Sequence, residues 1–475
     1  MKNKLTLITV GLIAFYTVVL IGWHFYDPTG DFTQAVPGAD NRPKGNARKA
    51  DDVLIGEFFM KADDQTVANG LTGEWACFRG SNHDNIVTNP RSISLVKDNF
   101  KEMWSLETGE GHAAPVISAG KAYVLDYDEK LNSDALRCVD LVTGKQLWKR
   151  WYRVPMKRNH GFSRTIPAIY QNLVVTIGPE GHVMCCDKET GDMKWTMDMK
   201  KRFSSEIPFW YTGQCPLIDG DVLVLAPAGK DTLMLGVDVK TGNTVWGTPN
   251  NVNFKMSHSS VIPMTLSGTR TYVYIGVGGV CGVSAESGAM GKMLWSASKW
   301  QPSVVAPSPL QISQNQVFLV AGYGAGGALL QVGKSGANWS AEIKDSYKAL
   351  AGMSSEQQTP INYKGSLITI LPKDGGGMRE RLAMYSPGNL HTPFWTSAAD
   401  ERFGLGPYII IDDKLFAFKE DGELYVYSVT TKSMSLLRKQ RIMNEGIDAW
   451  GPLAYADGYL LVRDSKTIKC LKVME

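Results

Sequence analysis

Three observations on the sequence predict an all-β fold: an eight-bladed β-propeller of four-stranded antiparallel blades, closed by an N-terminal strand and preceded by an N-terminal transmembrane helix. A proline that opens an apolar strand returns eight times. Most repeats end on a Thr-Gly or Ser-Gly turn followed by a tryptophan. A tryptophan-bearing strand stands alone ahead of the first repeat, and the last repeat ends without one.

The strand-opening prolines are Pro115, Pro167, Pro216, Pro263, Pro309, Pro360, Pro407 and Pro452, spaced about 48 residues apart, the length of one four-stranded blade. The turn is clearest at Cys138–Trp148, Cys185–Trp195 and Gly236–Trp246; looser copies end at Trp295, Trp339, Trp395 and Leu436. The segment Lys101–Leu106 supplies the missing eighth ending through Trp104, so the opening strand is expected to complete the last blade. In the turn, Asp140, Asp187 and Asp238 are read as turn-formers, because an Asp side chain bonds the backbone just after it while Gly accepts positive φ. The repeat tryptophans are read as packing between blades.

Composition fits a large folded body: of 475 residues 44% are apolar and 20% charged, and the net charge of +3 is too balanced to announce nucleic acid as partner. Residues 1–26 read as a membrane anchor. Leu5 to Gly22 carries no charge, enough for about 27 Å of helix. Trp23, Phe25 and Tyr26 follow as interfacial residues, and Lys2 and Lys4 favour a cytoplasmic N-terminus. The expected address is the inner membrane, single-pass, with the propeller in the periplasm or an equivalent extracytoplasmic space. Residues 27–74, rich in Pro, Gly, Asp and Asn, read as a flexible stalk with one apolar island at Val53–Met60 that could lie against the body, and 75–475 as the propeller.

The x-x-D-x-x-T-G-x-x-x-W ending, in series with the Pro-led strands, resembles the repeat of quinoprotein alcohol dehydrogenases and of related propellers that bind no quinone. Trp75-Ala-Cys-Phe-Arg-Gly is similar to the entry segment ahead of the first blade in exported bacterial members. The chain is also similar to the propeller lipoprotein of the outer-membrane β-barrel assembly machinery, without its lipid-bearing Cys. The dehydrogenase branch would imply a quinone with calcium, and that resemblance draws attention to the adjacent Cys185 and Cys186. Their level in the repeat matches a slot for small residues, and neighbours along a strand point to opposite faces, so both are read as packing groups. The seven histidines show no zinc spacing, and no nucleophile elbow stands out.

What remains is the face where one blade's last strand passes to the next blade's first. Lys149 to Thr165 carries six basic residues and no acid, interleaved with aromatics. The candidate rim comprises Trp151, Arg153, Arg158, His160 and Arg164 from that segment, then Glu206 and Trp210, His258, Trp300, Arg402, and Asp448 with Trp450; Glu356 and Gln357 lie in a further connection. Aromatics beside arginines are interface anchors. The sequence therefore points to a binding or scaffolding module for a protein, polysaccharide or anionic ligand, with no cofactor. The alternative is a quinone-dependent dehydrogenase oxidising an alcohol or sugar.

Overall fold

The computed structural model describes residues 2–26, 53–68, 70–87 and 94–475. Most of the expected stalk, 27–52, lies outside the described residues. Two compact units divide the chain at Asp52. In the first, Lys2–Phe25 is one α-helix, and its Thr6–Phe25 stretch is long and apolar enough to cross a membrane.

The second unit holds eight four-stranded antiparallel blades in chain order. Their innermost strands begin at Val116, Ala168, Leu217, Ile262, Leu310, Ile361, Tyr408 and Ala454. Six of the eight prolines directly precede these strands, where a residue without an N–H breaks no ladder bond. The ring closes as expected. Lys101–Glu107 pairs antiparallel with Thr467–Lys472 and sets Trp104 opposite Cys470, while Glu475 N donates to Ser94 O at 3.0 Å.

The repeat tryptophans do more than fill space. The rings of Trp104, Trp148, Trp195 and Trp246 lie 2.6 to 2.9 Å from where a Cβ would sit on Gly144, Gly191, Gly242 and Gly291, the turn glycines of the next blade. Each of those glycines has φ between +70° and +81°. Only glycine supplies both the positive φ and the room for the ring. Three of the indoles also donate to a turn carbonyl: Trp104 to Leu141 O at 2.8 Å, Trp148 to Lys188 O at 3.1 Å and Trp195 to Val239 O at 2.9 Å. Asp140, Asp187 and Asp238 each accept two backbone N–H groups within the turn, as expected. Blade 5 abandons the signature for a long hairpin, Gly326–Ser335 with Asn338–Tyr347.

Cys185 packs in the core shared with blade 3 and Cys186 in the core shared with blade 1, so strand alternation does separate the adjacent pair. All seven thiols are free.

Blade 1 gains a strand on each edge from the segment before the ring. Phe58–Lys61 pairs outside Trp148–Trp151, so the far end of the expected stalk, from Val53, lies on the body as the apolar island allowed. Glu74–Trp75 pairs inside, antiparallel to Ile117–Ser118, and therefore runs toward the end of the channel where inner strands begin. The chain then turns through Cys77–Asn85 and returns as Ile86–Val87, parallel to Ile410–Ile411 of blade 7. Residues 74–87 thus enter and leave the axial channel by the same end.

Candidate functional site

Strands run alternately away from and toward the connection face, so that face carries both the blade-to-blade connections and the turns between each blade's second and third strands. The connections after blades 1 and 2 are stitched to each other. Arg164 Nε donates to Trp210 O at 2.6 Å, Asn159 Nδ2 to Phe209 O at 2.7 Å, and the Tyr211 hydroxyl to Lys157 O. This presents Trp210 over the channel, where its ring stacks on Tyr323 of blade 5, centroids 5.6 Å apart and 13° from parallel. Across the ring, His112 lies against Trp450 at 4.9 Å, and Trp450 Nε1 donates to Glu420 Oε2 at 3.2 Å.

Beneath this aromatic bridge lies a cavity of about 360 Å³. Its floor is the turn of the entry segment, Phe78 and Arg79. Arg79, 4% exposed, is held by carbonyls alone: Nε to His83 O at 2.9 Å, Nη1 to Thr359 O at 2.7 Å, and Nη2 to Asp84 O at 3.2 Å and Pro360 O at 3.0 Å. Arg164 spends Nε on Trp210 and Nη2 on Asn159 O at 2.8 Å and His160 O at 2.7 Å, leaving Nη1 without a partner among the described residues. Three fixed cations, Arg79, Arg164 and Lys373, line the cavity against one carboxylate, Glu356. Burial pushes the Glu356 pKa up. Burial, reinforced by the Arg164 charge, pushes His112 down to about 3 and His258 down to about 4, so both imidazoles are neutral near pH 7. His112 Nδ1 and His258 Nε2 are buried without a hydrogen-bond partner.

Of the twelve rim candidates, His160, Arg164, Trp210, His258 and Trp450 converge on this cavity, together with Glu356 and Gln357. The others are placed elsewhere. Blade 1's last strand continues to Arg153, so Trp151 lies in a ladder, stacked on Phe58 at 5.6 Å, with Arg153 over the same Phe58 ring. Arg158 is paired with Glu110 at 2.6 Å. Glu206 binds Lys255 at 2.7 Å beside a neighbouring cavity of about 250 Å³ that shares Trp210 and His258. Trp300, 7% exposed, belongs to the core between blades 4 and 5. Arg402 donates to Gly377 O at 3.3 Å and to Arg379 O. Asp448 lies among acids, and burial followed by the Glu420 charge raises its pKa.

Among the cavity residues that the rim candidates did not include are Phe78, Arg79, Tyr323 and Lys373. The first two stand in the Trp75–Gly80 entry segment, and the other two in the inner-blade turns that share the connection face. That shared face was the available signal.

A closed ring whose tryptophans dock on turn glycines, around a cavity walled by its connections, defines an eight-bladed β-propeller with a recess at its connection face. Residues 132–354, just under half of the chain, match the family model described as outer membrane protein assembly factor BamB. No individual curated protein matches the chain in sequence. Among solved structures, BamB from Moraxella catarrhalis is similar at 12% identity and TM-score 0.52, covering 79% of this chain and 100% of that one. A europium-containing methanol dehydrogenase is similar at 11% identity and TM-score 0.58, covering 84% and 98%. The quinohemoprotein alcohol dehydrogenase from Comamonas testosteroni is similar at 12% identity and TM-score 0.54, covering 84% and 80%. At these identities the likeness shows the fold alone.

For the quinone with calcium that the dehydrogenase likeness implies, this lining offers one carboxylate, Glu356, beside the amides of Asn85, Gln357 and Gln358. Calcium takes six to eight oxygens, drawn from carboxylates, backbone and Asn/Gln carbonyls and water. Here Glu356 is the cavity's one acid, and among the described residues no three His, Cys, Asp or Glu side chains are grouped to hold a metal ion. Trp210, the indole facing the opening, already has Tyr323 on its ring.

Proposed function

We propose that the protein is a membrane-tethered docking module whose propeller stands on the extracytoplasmic side and holds a protein partner at the channel mouth. The observation that carries this reading is the mouth itself. Stacked Trp210 and Tyr323, with Phe209 78% and Tyr323 60% exposed, lie above a cavity in which Arg164 keeps one nitrogen without a partner among the described residues. Large exposed aromatics beside arginine are expensive on a free surface and are what protein interfaces use as anchors. The match of residues 132–354 to an assembly factor supports a protein as the partner class. The apolar helix Thr6–Phe25 supports the tether, and Lys2 and Lys4 support an N-terminus held in the cytoplasm.

Site-specific photo-crosslinking in intact cells tests this. A photoreactive residue at Phe209 or Tyr323 should give one discrete protein adduct. The same residue at Lys364, in the turn between the first two strands of blade 6 and hence on the opposite face, should give none. Adducts confined to Lys364, or equal at both faces, would remove the mouth as the docking surface. Protease added outside the inner membrane should digest or shed the propeller and spare the N-terminal helix.

A further inference from the structure

The cavity's chemistry is more specific than a general docking surface, and the following rests on the docking reading above. We propose that the cavity receives the free C-terminal carboxylate of an extended polypeptide, with Arg164 as its guanidinium partner and the exposed mouth aromatics holding the apolar residues just before the terminus.

Charge comes first. Arg79 and Arg164 are both bonded to backbone carbonyls and to no carboxylate among the described residues. Arg79 is buried and Arg164 half-buried, and guanidinium groups drawn out of water without a counter-charge are unfavourable, so a bound anion relieves the site. Arg79 has every nitrogen engaged. Arg164 keeps Nη1 free to donate to an anion, and a carboxylate is among the strongest partners a guanidinium takes. The histidines agree. His112 and His258 are neutral near pH 7, and each retains a ring nitrogen without a partner, so they add hydrogen-bonding capacity to the lining without adding charge.

The walls argue for a peptide rather than an acidic sugar. Phe78, Ile166, Val304, Ala306 and Leu405 form apolar surface inside the cavity. Against such walls an aliphatic or aromatic side chain is favoured, which a peptide supplies, while the hydroxyls of a sugar would be confined to the polar part of the lining, Asn85, Ser260, Gln357, Gln358 and Thr359. Outside, the Phe209 and Trp210 rings meet at 5.5 Å and lead to Tyr323, a continuous aromatic strip at the lip of the cavity. A chain end can insert there without unfolding its parent protein.

The test uses the full-length protein in detergent micelles, immobilised and offered two pools of N-acetylated random hexapeptides. One pool carries free C-terminal acids and the other C-terminal amides, and retained peptides are read by mass spectrometry. Free acids should be retained about tenfold over amides, with apolar residues enriched at the last two positions. In Arg164→Gln the acid preference should fall to about twofold or less. Tyr323→Ala, at a position 60% exposed, should lower retention of both pools together. Equal retention of acids and amides in the native protein overturns the proposal, as does a preference unchanged by Arg164→Gln. Displacement of the peptides by galacturonate or inorganic phosphate at concentrations where acetate has no effect also overturns it, in favour of a sugar acid or a phosphate. Discrete cross-links at Phe209 and Tyr323 without any acid preference would leave the docking reading standing and remove this one; absence of both removes both.

Discussion

Asp134 offers a quantitative check on the blade 1–blade 2 boundary. Its side chain is 1% exposed, Oδ2 accepts the Tyr152 hydroxyl at 2.8 Å, and Oδ1 has no partner. Burial pushes its pKa up to about 7. The unfolded chain releases that proton near pH 4. Between those values the folded state binds a proton that the unfolded state does not, so this group's contribution makes stability fall as pH rises from about 4 to about 7 and stay level above. At ~1.4 kcal/mol per unit, a shift of about three units makes the loss roughly 4 kcal/mol. Asp134→Asn keeps the shape and the carbonyl that Tyr152 needs, and removes the titration. Urea unfolding followed by tryptophan fluorescence, run on both proteins between pH 4.5 and 8.5, yields a difference in which other titrating groups cancel. The variant should match the native protein to within about 1 kcal/mol at the acid end and exceed it by a few kcal/mol at the alkaline end. A difference that does not vary with pH, or a native protein that gains on the variant as pH rises, would refute the buried protonated carboxyl.

Gly191→Ala should destabilise by about 2–4 kcal/mol, since its Cβ would stand 2.6 Å from the Phe59 ring and 2.9 Å from Trp148 at φ +76°, whereas Gly220→Ala, at φ +60° in open space, should cause about 1 kcal/mol. Urea midpoints rank the two, and equal losses would discount the ring-on-glycine contact. Trp104→Ala should weaken the closing blade by about 3–5 kcal/mol and speed amide exchange in Thr467–Lys472 before the third strands of the other blades, as read by hydrogen–deuterium exchange; uniform acceleration around the ring would argue against a local latch. Alkylation of the denatured, unreduced protein should label all seven cysteines, and a labelled mass short by two would contradict the free Cys185 and Cys186.

The ring was legible because its physics repeats. A glycine needed for positive φ and an indole needed to cover it recur at fixed spacing, so Trp104 without a preceding blade and Pro452 without a following tryptophan announce each other. The cavity was only half legible. Connections could be assigned to a face, but whether a side chain turns inward depends on packing that no spacing encodes: Trp300 closes a core, and Trp151 is held in a ladder because Phe58–Lys61 extends its strand. Tyr323 and Lys373 escaped notice because their turns sit inside blades, in a glycine-rich stretch and a Lys-Asp-Gly turn that look like punctuation. Arg79 escaped because its partners, Thr359 and Pro360, are about 280 residues away in sequence.

Because residues 74–87 double back within the bore, the propeller is a cup and not a tube. Phe78 and Arg79 floor the well, so the expected route of release for whatever settles in it is the opening by which it arrived. The lip formed by Trp210 and Tyr323 therefore governs both arrival and departure, and loosening it should shorten residence as readily as it eases access.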